Sequence, residues 1–136
     1  MSVNWILIPG YAGYETIESF LSSNRSKNVR CTVSAHRLWN SAKLNTPASG
    51  FLPNPDRAAV LVGIFKQALA STSDLDCPYV YFFNCKRDDT PKPTQVRIDD
   101  GCHRIFLAQN MIPFPSYIDI AVPDFQAQAM SSFFYP

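Results

Sequence analysis

The spacing of apolar residues changes along residues 94–110, from the two-residue period of a strand to the period of a helix. Val96 and Ile98 alternate with polar neighbours, as the residues of a half-buried strand do. After Gly101 the apolar residues recur at helical spacing, at Ile105, Ala108 and Ile112. The pattern therefore predicts a strand that runs through a glycine turn into a helix.

Alternation and short apolar runs predict four more strands. They cover Val3–Ile8, Val29–Ala35, Cys77–Asn84 and Tyr117–Val122. Helical spacing predicts a short helix over Glu15–Leu21 and a longer one that starts with Asn54 as its N-cap and ends in Ser71–Asp74. The longer helix is expected to bury one apolar face, made of Val60, Leu61, Ile64, Phe65, Ala68 and Leu69.

The segment 40–52 is rich in Ser, Asn, Thr, Pro and Gly, which predicts a surface loop. Just before it, His36 is expected to be a partly buried residue at the end of a strand, and Trp39 an anchor in the core or the loop. The last residues, 124–136, predict a short helix that bears Phe125, Met130, Phe133 and Phe134. This tail either docks onto the body of the protein or forms the contact of a homodimer.

The length and composition describe one domain over residues 1–136. A chain of 136 residues, of which 46% are hydrophobic, is large enough to bury its own core. The order of the predicted strands and helices indicates an α+β or α/β fold, in which a mixed sheet is flanked by a few helices.

Charge, hydropathy and cysteine spacing exclude several classes of protein. A formal net charge of +1 gives no reason to expect a general polyanion binder, so any contact with nucleic acid should be local. No apolar run reaches about 18 residues and no signal peptide begins the chain, which predicts a cytoplasmic protein with no membrane partner. Four scattered cysteines without paired CxxC spacing indicate reduced thiols, and a structural zinc site is not expected.

The predicted glycine turn is where the chain concentrates its chemistry. The N-terminus of a helix attracts anions, because its first N–H groups lack intrahelical partners and its dipole is positive there. Cys102, His103 and Arg104 fall in that first turn. Arginine and histidine supply donors that suit phosphate, and the helix end should depress the pKa of the cysteine thiol. Arg57, in the first turn of the longer helix, either stays solvated or reaches the same phosphate.

Four residues of this region have alternative interpretations. His103 and Arg104 either bind an anion together or form a solvated pair. Cys102 is either a nucleophile or a compact apolar residue of the turn. Asp100 is either a catalytic carboxylate or a turn and N-cap residue. Phosphoryl transfer would need a metal ion and a carboxylate near the turn, for which Asp99 and Asp100 are the nearest candidates. Because successive strand residues face opposite ways, only one of the two is expected to point into the site.

The dipeptide His-Arg occurs twice, at His36-Arg37 and at His103-Arg104. This invites comparison with enzymes that place two histidine motifs on opposite strands of one cleft. Those motifs carry a Ser or Thr two residues after the histidine, where this chain has Leu38 and Ile105. The repeat is therefore interpreted as a coincidence.

The order helix, strand, hairpin, strand, Asp-Gly-Cys-His-Arg, helix, strand resembles the core of the ParB/sulfiredoxin superfamily. Gly101-Cys102-His103-Arg104 is similar to the sulfiredoxin signature, and Asn54-Pro55-Asp56-Arg57 looks like the segment that opens the upstream helix. The resemblance covers residues 51–122, and residues 1–50 match no part of it. Residues 123–136 form a C-terminal tail beyond it.

The resemblance implies a role for each matched residue. In sulfiredoxins the signature cysteine relays groups during ATP-dependent repair of a cysteine sulfinic acid, a role that would fall to Cys102. Gly101, His103 and Arg104 would hold nucleotide phosphates, and Arg57 would stand where those enzymes place a phosphate-contacting lysine. Asp99-Asp100 replaces the usual Phe-Gly pair, and the apolar Val60 and Ile64 stand where sulfiredoxins have hydroxyl residues.

The Asp-Gly-x-His-Arg form looks more like ParB-type nucleotide-dependent DNA-binding domains and small-molecule kinases. The resemblance thus implies binding of ATP or CTP with Mg²⁺ and phosphoryl transfer or hydrolysis, with sulfinic acid reduction as one form of that chemistry. A second hypothesis is a non-catalytic binding module of the same fold that engages DNA or a protein partner, based on the unmatched N-terminal part and the aromatic tail.

Overall fold

The computed structural model describes residues 4–7, 28–45, 54–71, 74–110 and 117–136. These residues form a single small α+β domain that contains a mixed sheet, as the sequence predicts. Its strands are β1 (Asn4–Ile6), β2 (Asn28–Ser34), β3 (Asp74–Asp76), β4 (Tyr79–Phe82), β5 (Val96–Asp100) and β6 (Tyr117–Pro123). Its helices are α1 (Ala35–Ala42), α2 (Pro55–Ser71), α3 (Cys102–Asn110) and α4 (Ala127–Phe133).

A four-stranded sheet with the order β2-β6-β4-β5 forms the body of the domain. β2 pairs with β6 in antiparallel fashion, β6 with β4 in parallel, and β4 with β5 in antiparallel fashion. Two reversals bring β5 back to the direction of β2. The helices that follow these two strands, α1 and α3, therefore begin at the same end of the sheet.

Helix α1 follows β2 without a loop, and the sequence analysis missed it. The Ser34 hydroxyl caps its start by accepting a hydrogen bond from the Arg37 N–H at 3.2 Å. The loop predicted over residues 40–52 starts later than predicted, because the helix continues to Ala42. Residues 43–45 form a turn, and residues 46–52 lie outside the described part. The prediction of a partly buried His36 was wrong: it is exposed as the second residue of the helix. Trp39 is buried in the core, as one of the two predictions had it.

Helix α2 begins and ends as predicted, and two described residues of its predicted apolar face, Leu61 and Ile64, pack against the core. The Asn54 side chain accepts from the Arg57 N–H at 3.0 Å, and the helix ends at Ser71. Val60 was predicted to be buried and is 64% exposed. The residues of α2 that pack against the core are Leu61, Val62 and Ile64. The six residues of the predicted face span about 180° around the helix, and Val60 lies at one edge of it, which explains its exposure. The side chains of residues 65 and 68–69 lie outside the described part.

Strand β1 confirms a strand within the predicted segment 3–8. It pairs in parallel with β3, which was not predicted, and places Trp5 opposite Leu75. The pairing continues for one more hydrogen bond, from the Cys77 N–H to the Ile6 carbonyl at 2.9 Å. The helix predicted over residues 15–21 lies outside the described residues.

The C-terminal tail docks onto the sheet, which confirms one of its two predicted placements. Phe134 is 2% exposed, and its ring stacks on Phe82 with the centroids 6.5 Å apart. The Ser34 N–H donates to the Phe134 carbonyl at 2.7 Å and ties the tail to the end of β2. The homodimer contact stays a prediction, since Tyr135 of the same tail is 68% exposed.

The buried side chains form one hydrophobic core that includes residues from all six strands. Among the residues that the structure describes, no helix has the length and apolarity needed to cross a membrane. The four cysteines, all of which are described, form no disulfide.

Candidate functional site

The turn between β5 and α3 requires a glycine for two separate reasons. Gly101 has a φ of +96°, which residues with a side chain rarely adopt. A Cβ at this position would lie 2.7 Å from the Cβ of Pro78, which is too close for two carbon atoms that are not bonded to each other. The predicted glycine turn is thus confirmed, and it is pressed directly against the residue that precedes β4.

The helix begins directly after this glycine. The Ile105 N–H donates to the Gly101 carbonyl at 3.0 Å, the first helical hydrogen bond of α3. Cys102, His103 and Arg104 therefore occupy the first turn, as predicted. The positive end of the helix dipole lies at these three residues.

Arg104 folds back over the turn that it follows. Its Nη2 lies 3.1 Å from the position that a Cβ on Gly101 would take, and its Nη1 donates to the carbonyl of Asp76. The guanidinium group is therefore fixed between the turn and the end of β3. A guanidinium carries five N–H donors, and the bond to the Asp76 carbonyl uses one on Nη1.

His103 links α3 to α2 through a hydrogen bond that sequence reasoning did not predict. The backbone N–H of Asn54 donates to its Nε2 at 3.0 Å. A backbone N–H can only donate, so Nε2 carries a lone pair and the ring proton is on Nδ1. Burial lowers the pKa of His103 below its ordinary 6.5, and the positive charge of Arg57 lowers it further.

The N-termini of α2 and α3 thus meet at one place. Asn54 precedes α2 and touches the first turn of α3, while Arg57 lies in the first turn of α2 and acts electrostatically on His103. Arg57 is exposed. Two positive helix ends and two arginines, Arg57 and Arg104, border the same turn, so the local field favours an anion.

Cys102 is half-buried and packs against the hydrophobic core. The other three cysteines are buried, and burial raises the pKa of each thiol, that of Cys77 to about 11. Cys102 is therefore the cysteine that an external reagent reaches most easily. Its contact with the core is also what the interpretation as an apolar turn residue predicts, so both interpretations stay open.

The acidic pair before the turn belongs to β5. Asp99 is exposed, and the backbone of Asp100 pairs with Tyr79 of β4. The role predicted for the Asp100 side chain lies outside the described part of the structure. Within the described ranges, no three His, Cys, Asp or Glu side chains form a group that could hold a metal ion.

The second His-Arg pair occupies the equivalent place on the neighbouring helix. His36 and Arg37 lie in the first turn of α1, which begins at the same end of the sheet as α3. The two helices touch through the fifth residue of each, Trp39 and Phe106, whose rings meet edge to face at 5.4 Å. The pairs therefore share one end of the domain. His36 is exposed and contacts Asn40 at 3.1 Å, within its own helix.

Three contacts that shape the site had not been predicted: the Asn54 N–H on His103, the Asp76 carbonyl on Arg104, and Pro78 against Gly101. Two of them use backbone groups, which every residue carries and which leave no signal in a sequence. The third, Pro78, is the second residue of the predicted strand, but only the pairing of β4 with β5 brings it to the turn.

No protein-family model, curated protein or solved structure matches this chain. The chemistry of the site must therefore be argued from its own residues.

Proposed function

We propose that this protein binds the phosphates of a nucleotide, ATP or CTP with Mg²⁺, at Gly101–Arg104 with the help of Arg57. The bound nucleotide then undergoes phosphoryl transfer or hydrolysis. The proposal is the one that the resemblance to the ParB/sulfiredoxin superfamily implies, and it includes a cytoplasmic location.

One observation carries the proposal: the N-termini of α2 and α3 meet through the Asn54–His103 hydrogen bond, with Arg57 and Arg104 at the same turn. A single helix end attracts an anion weakly. Two helix ends and two guanidinium groups suit a ligand that carries several negative charges, as a triphosphate does.

Each residue would act through a stated group. Arg57 and Arg104 would donate to phosphate oxygens from their guanidinium groups, and His103 from the Nδ1–H of its neutral ring. Mg²⁺ is held in many nucleotide sites by one or two carboxylates together with the phosphates, so the site does not require a cluster of three protein ligands. The exposed Asp99 would be such a carboxylate. A bound Mg²⁺ would neutralise charge on the phosphates.

Calorimetry with ATP, ADP and CTP in the presence of Mg²⁺ tests this proposal. Arg57→Ala and Arg104→Ala should each weaken nucleotide binding about tenfold to a hundredfold, because each removes a charge-assisted hydrogen bond. Arg37→Ala is the matched control, since Arg37 has the same place in the first turn of α1. Equal affinities in the wild type and in both site variants would contradict the proposal.

Cys102→Ser then separates the two chemistries. If the serine variant binds nucleotide as the wild type does but loses turnover, the thiol is the nucleophile and reduction of a sulfinic acid is the activity to pursue. If it keeps turnover, phosphate passes to another acceptor and Cys102 is a packing residue.

The alternative is a non-catalytic module that engages a protein partner or DNA. Val60, 64% exposed in an apolar helix, is the observation that favours a protein partner. Under this alternative no nucleotide binds, and Val60→Asp abolishes complex formation with the partner while Val62→Ala, on the packed side of α2, leaves it intact.

A further inference from the structure

The hydrogen bond between Asn54 and His103 joins two elements that are far apart in sequence. It runs from the backbone N–H that precedes α2 to the imidazole in the first turn of α3. The side chain of Asn54 is also engaged, because it caps α2 by accepting from the Arg57 N–H. Asn54 therefore holds the start of α2 with one group and attaches it to α3 with another.

This attachment depends on the charge of the ring. Nε2 can accept from the Asn54 N–H only while it is unprotonated. After protonation it carries its own N–H, and two donors then face each other across 3.0 Å. Protonation also places a positive ring beside Arg57, whose charge already acts on His103. Both effects push the start of α2 away from α3.

We propose that His103 is a pH-dependent latch: the neutral ring holds the N-terminus of α2 against that of α3, and protonation releases it. The device goes beyond nucleotide binding, because it operates in the protein without ligand. It also assigns His103 a positioning role, because Nε2 holds the start of α2 in place while the Nδ1–H remains the group that would donate to a phosphate.

The surroundings of the ring leave Arg57 as its main charged neighbour. α3 packs against α1, α2 and β6, and of the charged residues described on these elements only Arg57 contributes to the shift in the pKa of His103. The charged or titratable residues described on the three packed elements are His36 and Arg37 on α1, Asp56, Arg57 and Lys66 on α2, and Tyr117 and Asp119 on β6. Arg104, on α3 itself, is directed toward Asp76.

The direction of the pH effect follows from the depressed pKa. The neutral ring is favoured in the folded protein, so the unfolded chain takes up the proton first as pH falls. The latch and its stability are complete above the unfolded value of 6.5 and are lost as pH falls through the lower folded value.

NMR of the unliganded protein tests the latch. At pH 7.5 the ¹⁵N shifts of the His103 ring should show the Nδ1–H tautomer, and solvent exchange of the Asn54 amide should be about five- to tenfold slower than in His103→Ala. On acidification the Asn54 amide signal should move with the same midpoint as the His103 ring, below pH 6.5. The rest of the spectrum should stay dispersed.

Two variants provide the controls. His103→Gln places an acceptor near the position of Nε2 but does not titrate, so its Asn54 amide should stay protected and insensitive to pH. His36→Gln removes the other histidine and should leave the Asn54 titration unchanged. An Nε2–H tautomer in the wild type at pH 7.5, or an Asn54 titration that persists in His103→Gln, would overturn the proposal. The tautomer is measured on the wild type, so this part of the test holds even where a variant fails to fold.

Discussion

At the scale of single residues, Gly101 is the position where backbone conformation and packing both exclude a side chain. Its φ of +96° and the Cβ of Pro78 at 2.7 Å from the site of a Cβ both oppose any side chain. The sequence predicted a glycine turn here, from Asp-Asp-Gly between two apolar periods. It could not predict the contact with Pro78, which depends on the antiparallel pairing of β4 and β5.

We expect Gly101→Ala to lower the free energy of unfolding by about 2 kcal/mol or more, because a left-handed φ alone costs about 1–2 kcal/mol and the clash adds to it. Gly63→Ala is the matched control. Gly63 lies within α2 with no atom within 4 Å of the site of its Cβ, so alanine there should stabilise by about 0.5–1 kcal/mol. Urea denaturation measures both, and equal shifts of the two variants would refute this account of the turn.

At the scale of elements, the N-terminal half of the sheet shows where sequence reasoning failed and why. Ala35, Leu38, Trp39 and Ala42 have the i, i+3, i+4, i+7 spacing of a helix, and Ser34 before them is a good N-cap. The signal for α1 was therefore present. The helix follows β2 without a break, so its first residue, Ala35, also fits the alternating pattern of the strand and was assigned to it.

Other elements could not be predicted at all. β3 is three residues long and has only one buried side chain, Leu75, so it has almost no pattern of its own. It exists because β1 pairs with it, and that pairing is a long-range contact. The exposure of Val60 has the same origin: propensity and caps fixed the bounds of α2, but how far its buried face extends at the edge depends on its packing against α3 and β3.

One side chain takes the place of a missing strand at the end of β4. Gln126 is fully buried, and its amide accepts from the Phe82 N–H at 2.8 Å and donates to the Phe82 carbonyl at 3.1 Å. A third bond joins it to the Cys85 carbonyl at 3.3 Å. β4 pairs with β6 only at Tyr79. Further along β4, the Gln126 side chain provides the hydrogen-bond partners that a neighbouring strand would otherwise supply to the Phe82 backbone.

Gln126→Ala should therefore lower the free energy of unfolding by about 2–4 kcal/mol, because it leaves buried backbone groups without partners. Gln128→Ala, at an exposed position two residues later, should change it by less than about 0.5 kcal/mol. Thermal or chemical denaturation distinguishes the two. A mild effect of Gln126→Ala, similar to that of Gln128→Ala, would mean that water replaces the lost amide.

At the scale of the whole molecule, the single core determines which thiols are reachable. Cys31, Cys77 and Cys85 are buried with raised pKa values, whereas Cys102 is half-buried at the candidate site. Near neutral pH the native protein should show one fast thiol toward an aromatic disulfide reagent, and three that react only as fast as the fold opens.

The variants assign these phases. Cys102→Ser should abolish the fast phase, and Cys85→Ser should leave it in place. Two or more fast thiols in the native wild type would contradict the burial of Cys31, Cys77 and Cys85 in the core.

The whole arrangement places two His-Arg pairs at one end of the domain but builds a candidate site around only one of them. His103 and Arg104 are bound to Asn54 and to the Asp76 carbonyl, contacts that hold α2 and β3 at the turn. His36 contacts a residue of its own helix. The sequence could place both dipeptides after a strand, but the contacts that distinguish them are made by groups remote in the chain.

Chemical-shift mapping tests the central claim most directly, because it reports where a nucleotide binds as well as whether it does. Mg²⁺-ATP and Mg²⁺-CTP are titrated in turn into the ¹⁵N-labelled wild type. We predict that the amide chemical shifts of residues 54–58 and 101–105 change together and saturate. The shifts of residues 34–38, which surround the second His-Arg pair, should not change. Unmoved amides at both helix ends at millimolar nucleotide, or changes confined to α1, would contradict the claim that α2 and α3 form a nucleotide site.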